Sequence, residues 1–407
     1  MTTTHQQADA ALKALPIGEL IDDVETWNPS RSDADSLFDY IELSAVDQDS
    51  KAVTGARNIK CKDAPSRARQ RVKNGDILVS TVRPNLNSVA RVPDELDGAT
   101  ASTGFCVLRS RAKNLDPAYL FQWVKSPSFV TDMSNKATGA SYPAISDRII
   151  SESKIPLPPL AEQKRIAAIL DKADAIRRKL QQSLRLSDDF LRSVFLDMFG
   201  DPVTNPKGWP VEPLSEGVES FDGGKNVNPI DTDRRDGMRV LKVSAVTSGE
   251  YLEAESKSFG EDFQVPADYI VKTGDLLISR ANTAELVGAV AYVWNTSGCA
   301  MLPDKLWRFV WSKPARIHPL FMLHMARSEH FRKQLILRAT GSSGSMKNIG
   351  KVKMLEIPIP LPPIALQNKF AAIVNKTQAK IQKSTAFLQE AETLFSTLQQ
   401  RAFRGEL

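Results

Sequence analysis

Three histidines, His318, His324 and His330, recur at intervals of six, and Ser151 and Lys154 form an SxxK pair. A six-residue spacing puts no two histidines on one helical face at ligand distance, so no metal site is expected. SxxK without its companion motifs is a frequent coincidence. Cys61, Cys106 and Cys299 stand far apart, which excludes a CxxC knuckle and leaves three ordinary buried thiols as the expectation. The chain has no Asn-Pro-Pro-aromatic loop of the kind that grips a flipped adenine, no GxGxxG and no GxxxxGK[ST]; "GSSGSMKN" from Gly341 lacks the Walker spacing. The catalytic inventory is empty, and none of these residue sets predicts a cofactor bound by this chain.

What the sequence does offer is charge and forked hydrogen-bond donors. Between Lys51 and Arg91 ten cations, Lys60, Arg67 and Arg69 among them, face only Asp63 and Asp76, a net +8 in a chain whose total is +5. Such a run inside a domain is a candidate phosphate-binding surface, although a basic run is also the ordinary make-up of a solvated face. Downstream come Arg83, Asn85 and Asn87, and in the second half of the chain Arg280 and Asn282. Arginine can pair with guanine and asparagine with adenine in a major groove, while plain turn chemistry would also place asparagines there. Two glycine-bearing loops, "TGASYPAIS" and "TGSSGSMKNIG", add Ser141, Tyr142, Ser343, Lys347 and Asn348, where glycine lets backbone approach a phosphate. The two loops differ from each other.

The elements that position these residues come twice. "IPLPPLAEQKRIAAIL" from Ile155 returns as "IPLPPIALQNKFAAIV" from Ile359. Upstream, "LPIGELIDDVETW" from Leu15 answers "WPVEPLSEGVESF" from Trp209, "YIELSAVD" at Tyr40 answers "VLKVSAVT" at Val240, and "VKNGDILVS" from Val72 answers "VKTGDLLIS" from Val271. "LDPAYLFQWVKSPSF" from Leu115 and "IHPLFMLHMARSEHF" from Ile317 each predict one amphipathic helix with proline in its first turn. Matched blocks in one order imply a duplicated unit. Solenoid repeats are shorter and stack on neighbours, so a solenoid is not the expectation.

Each unit ends in a proline run, predicted to be extended or polyproline because proline has no N–H to give a sheet. From Leu160 to Phe199 and from Ile364 to Arg404 there is then no glycine or proline. Each stretch predicts a helix about 60 Å long at 1.5 Å per residue. In the second, Phe370, Val374, Thr377, Ile381, Ser384, Leu388, Ala391, Phe395, Leu398 and Ala402 keep a heptad seam; in the first, Ile166, Ile169, Ala173, Ile176 and Leu180 do so, and after a stutter Leu184, Leu191, Val194 and Met198 resume it. Two such rods can cover each other antiparallel, or each can pack on a separate partner protein.

The chain has 407 residues, 42% hydrophobic and 25% charged, enough for two or three domains. The start lacks the basic and apolar segments of a signal peptide, and no apolar run reaches membrane-span length, so a cytoplasmic location without a membrane partner is expected.

Gly75-Asp76-Ile77-Leu78, Thr138-Gly139 ahead of Ile145-Ser146, the proline run with Glu162-Gln163, and the end "QQRAFRGEL" together resemble the specificity subunit of Type I restriction-modification systems over nearly the whole chain. One departure is Leu366, standing where the first repeat has Glu162. The resemblance implies an α+β fold with two mostly β target-recognition domains (1–156 and 201–358), separated by two long spacer helices with proline hinges (157–200 and 359–407) that pair as an antiparallel coiled coil with pseudo-twofold symmetry. It further implies double-stranded DNA as ligand, two modification subunits along the helices for adenine N6 methylation, and two restriction subunits in the full complex. S-adenosylmethionine, ATP and magnesium are then expected on those partner subunits. A stand-alone DNA methyltransferase or nuclease, and a DNA-independent bridging protein, remain the alternatives.

Overall fold

The computed structural model describes residues 13–228, 237–260, 263–341 and 346–407, as two compact units. The first unit joins residues 1–183 to the chain's end, 384–407; the second is 184–383. The architecture is mixed helix and sheet.

In the first unit, Ile77–Ser80 lies inside a six-stranded sheet between Phe105–Ser110 and Val89–Arg91, antiparallel to both. It is buried at every position, which is why it reads as an unbroken apolar run rather than an alternation. A second sheet orders Arg57–Lys60, Leu37–Ile41, Thr100–Ser102 and Ala68–Arg71. Helices α1 (Pro117–Val124), α2 (Pro127–Lys136) and α3 (Asp147–Glu152) follow, then α4 (Leu160–Phe199). In the second unit, Leu276–Ser279 holds the corresponding place between Leu306–Trp311 and Val290–Tyr292, and the smaller sheet has three strands, Ser256–Ser258, Arg239–Leu241 and Ala300–Met301. Its helices are α5 (Pro319–Arg327), α6 (Glu329–Arg338) and α7 (Lys351–Leu355), followed by α8 (Ile364–Arg404), which belongs to this unit up to residue 383.

Both long helices match the proline- and glycine-free stretches residue for residue, and each is followed by a glycine at positive φ, Gly200 (81°) and Gly405 (78°), the backbone that stops a helix at its C′ position. Four expectations need correction. The single amphipathic helix is two in each unit: Ser126 and Ser328 break it, each turning its hydroxyl to accept from the N–H three residues on, Phe129 and Phe331. The proline runs do enter sheets: Lys154–Pro156 pairs with Ala14–Pro16, and Pro358–Pro360 with Val211–Pro213. In a two-stranded sheet each strand has a free side, so a missing N–H can face away. Ile176 of the expected seam is 50% exposed, while Asp174 on the neighbouring position is 3% exposed and Arg177 half-buried. The α8 seam, by contrast, has no exposed member from Phe370 to Ala402. Cys61 and Cys106 are buried, but Cys299 is exposed.

Each unit's core includes the start of one long helix and the end of the other. In the first unit Ile166, Ala167 and Leu170 share a cluster with Ala402, and Phe403 lies against the Trp123 and Tyr119 rings at 4.9 and 5.4 Å. In the second, Phe195 and Phe199 join Phe321 and Phe370, with Phe199 to Phe321 at 4.9 Å. No helix among the described residues is long and apolar enough to cross a membrane.

Candidate nucleic-acid interface

The buried strand of each unit runs out into an edge where the expected reading residues gather. In the first unit, Ser80 Oγ donates to Val82 O at 2.9 Å, Ile145 N donates to Thr81 O at 2.9 Å, and Val82 and Thr138 both bridge to Ala144. This ties the strand end to the loop that carries Ser141 and Tyr142, both exposed. Arg83 is left-handed (φ 50°), a conformation that costs a non-glycine residue about 1 kcal/mol or more and is doubly unusual before a proline. Its N–H donates to Pro143 O at 2.7 Å, and its guanidinium lies 4.8 Å from the centre of the Tyr142 ring, which is 69% exposed. Asn85 is exposed beside them, whereas Asn87 turns inward: its Nδ2 donates to Lys125 O at 3.4 Å and its carbonyl accepts from Lys51 at 2.6 Å. The structure thus groups Arg83, Asn85, Ser141 and Tyr142 and sets Asn87 apart.

The second unit builds the same edge with other side chains. Ser279 Oγ donates to Ala281 O, Ile349 N to Arg280 O at 3.0 Å, and Ala281–Asn282 pairs with Lys347–Asn348. By these bonds Arg280 occupies the place of Thr81, and Asn282 that of Arg83. Arg280 is held inside its unit: Nε donates to Asp304 O at 2.7 Å, Nη1 to Asn348 Oδ1 at 3.0 Å, and Nη2 lies 3.6 Å from the Asp304 carboxylate. Asn282 accepts from Thr283 N at 2.8 Å, and Lys347 Nζ donates to Gly341 O at 3.1 Å. Asn348 is exposed; Ser343 lies outside the described residues.

The basic run is not one uniform face. Lys60 and Lys62 share Asp35 at 3.0 and 3.3 Å, and Arg57 meets Glu42 at 2.8 Å, exposed pairs worth about 0–1 kcal/mol each. Lys51 turns toward Lys125, and burial with that like charge lowers its pKa. Arg69 remains on the outer strand and Arg67, exposed, in the turn that leads into it. The register slips between Ala101 and Ser102, so Arg69 has no partner across the ladder, a local irregularity that re-aims side chains. Next to them Arg71 covers the Trp27 ring at 4.5 Å, a pairing not expected from the sequence.

Other quoted residues prove to be framework. Gln163 is 1% exposed: its Oε1 accepts from Asp116 N at 2.9 Å while Nε2 donates to Asn114 O and Pro158 O. Gln367 repeats all three bonds on His318 N, Arg316 O and Pro362 O. The only visible signal was the recurrence of Gln in both proline motifs. Asp76 and Asp275 each accept from a turn N–H (Lys73 and Lys272, both 2.8 Å) and hold an arginine, Arg109 at 2.7 Å and Arg308 at 3.2 Å. The histidines are accounted for singly: His318 Nδ1 caps α5, His330 Nε2 meets Pro358 O, and His324 stacks on Phe195 with its pKa pushed down to about 3 by burial and by Arg327.

The first unit also encloses a charged cluster, Lys125 to Asp174 at 2.8 Å with Arg177 on the other Asp174 oxygen at 2.7 Å. Burial alone would raise the Asp174 carboxyl, but Lys125 and Arg177 hold it below the usual carboxylate range. Burial lowers Lys125 despite that carboxylate, because its ammonium is desolvated beneath Phe121 and Phe395.

Residues 48–186 match the family profile of the Type I restriction modification DNA specificity domain. The MjaVIII specificity subunit of Methanocaldococcus jannaschii is 25% identical over 65% of this chain and 64% of its own length, so the match spans just under two thirds of that relative. The EcoKI specificity subunit of Escherichia coli K12 is 24% identical over 83% of this chain and 76% of its own. Among solved structures, the fold is similar to a Type I restriction-modification S subunit from M. genitalium (TM-score 0.60, 14% identity, 99% of each chain) and to a chain of a Type I R-M assembly (TM-score 0.57, 23% identity, 98% of this chain and 99% of that one).

Proposed function

We propose that this chain, a member of the Type I restriction-modification specificity-subunit family, is the non-catalytic DNA-reading subunit of its complex. Each half, 1–156 and 201–358, reads one half of a split asymmetric target. The observation that carries this reading is a shared framework with exchanged tips: the same strand end and hydroxyl bond present Arg83 and Tyr142 in one unit but Asn282 and Asn348 in the other. A bridging protein without a DNA target gives no reason for that exchange.

The spacer segments 157–200 and 359–407 pair antiparallel and fix the distance between half-sites. Support comes from the first unit, where Gln181 donates to Glu392 at 3.5 Å and Arg177 covers Phe395 at 5.5 Å, sequence numbers rising on one helix as they fall on the other. Modification subunits dock along these helices for adenine N6 methylation, and restriction subunits complete the cleaving complex. S-adenosylmethionine, ATP and magnesium belong to those partners. The test is methylome sequencing of a host expressing the complete system, with and without exchange of residues 209–356 for a relative's domain. One half of the methylated motif should change and the other persist; loss of both from an assembled complex would overturn the division into two readers.

A further inference from the structure

We infer that Arg280 positions rather than reads, fixing the side-chain amide of Asn348 so that Asn348 offers a base its two Nδ2 hydrogens. The inference rests on the DNA-reading proposal above and adds the chemistry of one contact.

A guanidinium has donors only, so the atom of Asn348 that faces Arg280 Nη1 at 3.0 Å must be the carbonyl Oδ1. Arg280 is itself anchored at both sides of its fork, by Asp304 O at 2.7 Å and the Asp304 carboxylate at 3.6 Å, and lies 5.6 Å from the Trp307 ring. The Asn348 backbone is committed as well, since its N–H and carbonyl both bond Thr340 at 2.8 Å. The amide therefore cannot flip without breaking a charge-assisted bond, and its Nδ2, without a partner among the described residues, points away from Arg280 on an exposed side chain. An asparagine reads adenine with both ends, accepting from N6 while donating to N7. With Oδ1 turned toward Arg280, the donor end is the one presented, and it suits a keto oxygen, guanine O6 or thymine O4, over an amino edge. The first unit cannot make this contact: Thr81 stands in Arg280's place, its hydroxyl donating to Gly104 O at 2.9 Å, and Ala144 in Asn348's.

The test measures binding of the methyltransferase, assembled from this chain and its modification partners, to a DNA library randomised in both half-sites. Variants are N348A, R280A, their double, R280K and N348D, each first checked for an unchanged unfolding midpoint of the complex. N348A and R280A should blur the same single position of the second half-site, lowering discrimination there about tenfold. The double should be no worse than either single, because the two act as one unit. R280K, keeping one donor, should retain part of the preference, and N348D should move it from keto toward amino bases. A uniform loss from R280A with base preference intact would overturn the inference, as would blurring by R280A but not by N348A. If the wild-type complex selects sequence in both half-sites and no variant alters it, this inference alone fails; if the wild-type complex selects none, the reading of the chain as a specificity subunit fails with it.

Discussion

The two units solve one structural problem twice, and two of their differences are chemical: one beneath the long helix and one at the strand tip. Below the helix, Lys125 of the first unit meets Asp174, whereas the matching Arg327 of the second donates to a backbone carbonyl, Gly249 O, and is depressed by burial. Where Asp174 stands in α4, α8 has Gln378. At the tip, an arginine stacked on tyrosine faces out in the first unit, and an arginine tied inward stands in the second. The glutamine and serine framework bonds are repeated atom for atom while these side chains are not. The repeat therefore preserves geometry and leaves chemistry free to vary.

The largest effect should come from the asymmetric ion pair. Asp174→Ala strands Lys125 in a buried site already crowded by Arg177, and should cost about 3–5 kcal/mol in denaturant unfolding, whereas Gln378→Ala should change little. Equal costs would mean that the two helix seats are electrostatically alike. Next is the shared latch. Gln163→Ala and Gln367→Ala each leave one N–H and two carbonyls without their partner, so each should cost about 2–3 kcal/mol. A large inequality between them would break the claim of a common framework.

His324 sharpens the comparison through pH. Its place in the first unit is held by Gln122, which does not titrate. The folded pKa lies near 3 against an ordinary 6.5, so the unfolded chain binds the extra proton between those values. Stability is fully present above about pH 6.5 and falls, by at most about 1.4 kcal/mol per pH unit, as pH drops toward 3. His324→Gln should flatten that acid limb in stability measured against pH, and an unchanged limb would assign it to carboxylates. The smallest effects are expected on the basic strand. Arg67→Ala and Arg69→Ala should weaken binding to all DNA sequences alike and flatten the log–log salt slope by about 1 each. Lys60→Ala, whose ammonium already has Asp35, should do less; a change in base preference from any of the three would make that residue a reader.

Sequence by itself determined what depends on neighbours along the chain. The absence of glycine and proline over Leu160–Phe199 and Ile364–Arg404 sufficed for both long helices, because helix propagation is a local matter of backbone freedom and i to i+4 bonds. The duplicated blocks disclosed a repeated unit, and the donor-rich loops pointed to the strand tips. Only tertiary structure decided which donors face out, since the partners that commit Arg280 lie 24 and 68 residues away and two of the three of Gln163 lie 47 and 49 away. The same holds for Ile176: its period matched the seam, but Lys125, 49 residues from Asp174, demanded a carboxylate on the inner face, and a buried ammonium is costlier to leave unpaired than an isoleucine is to expose.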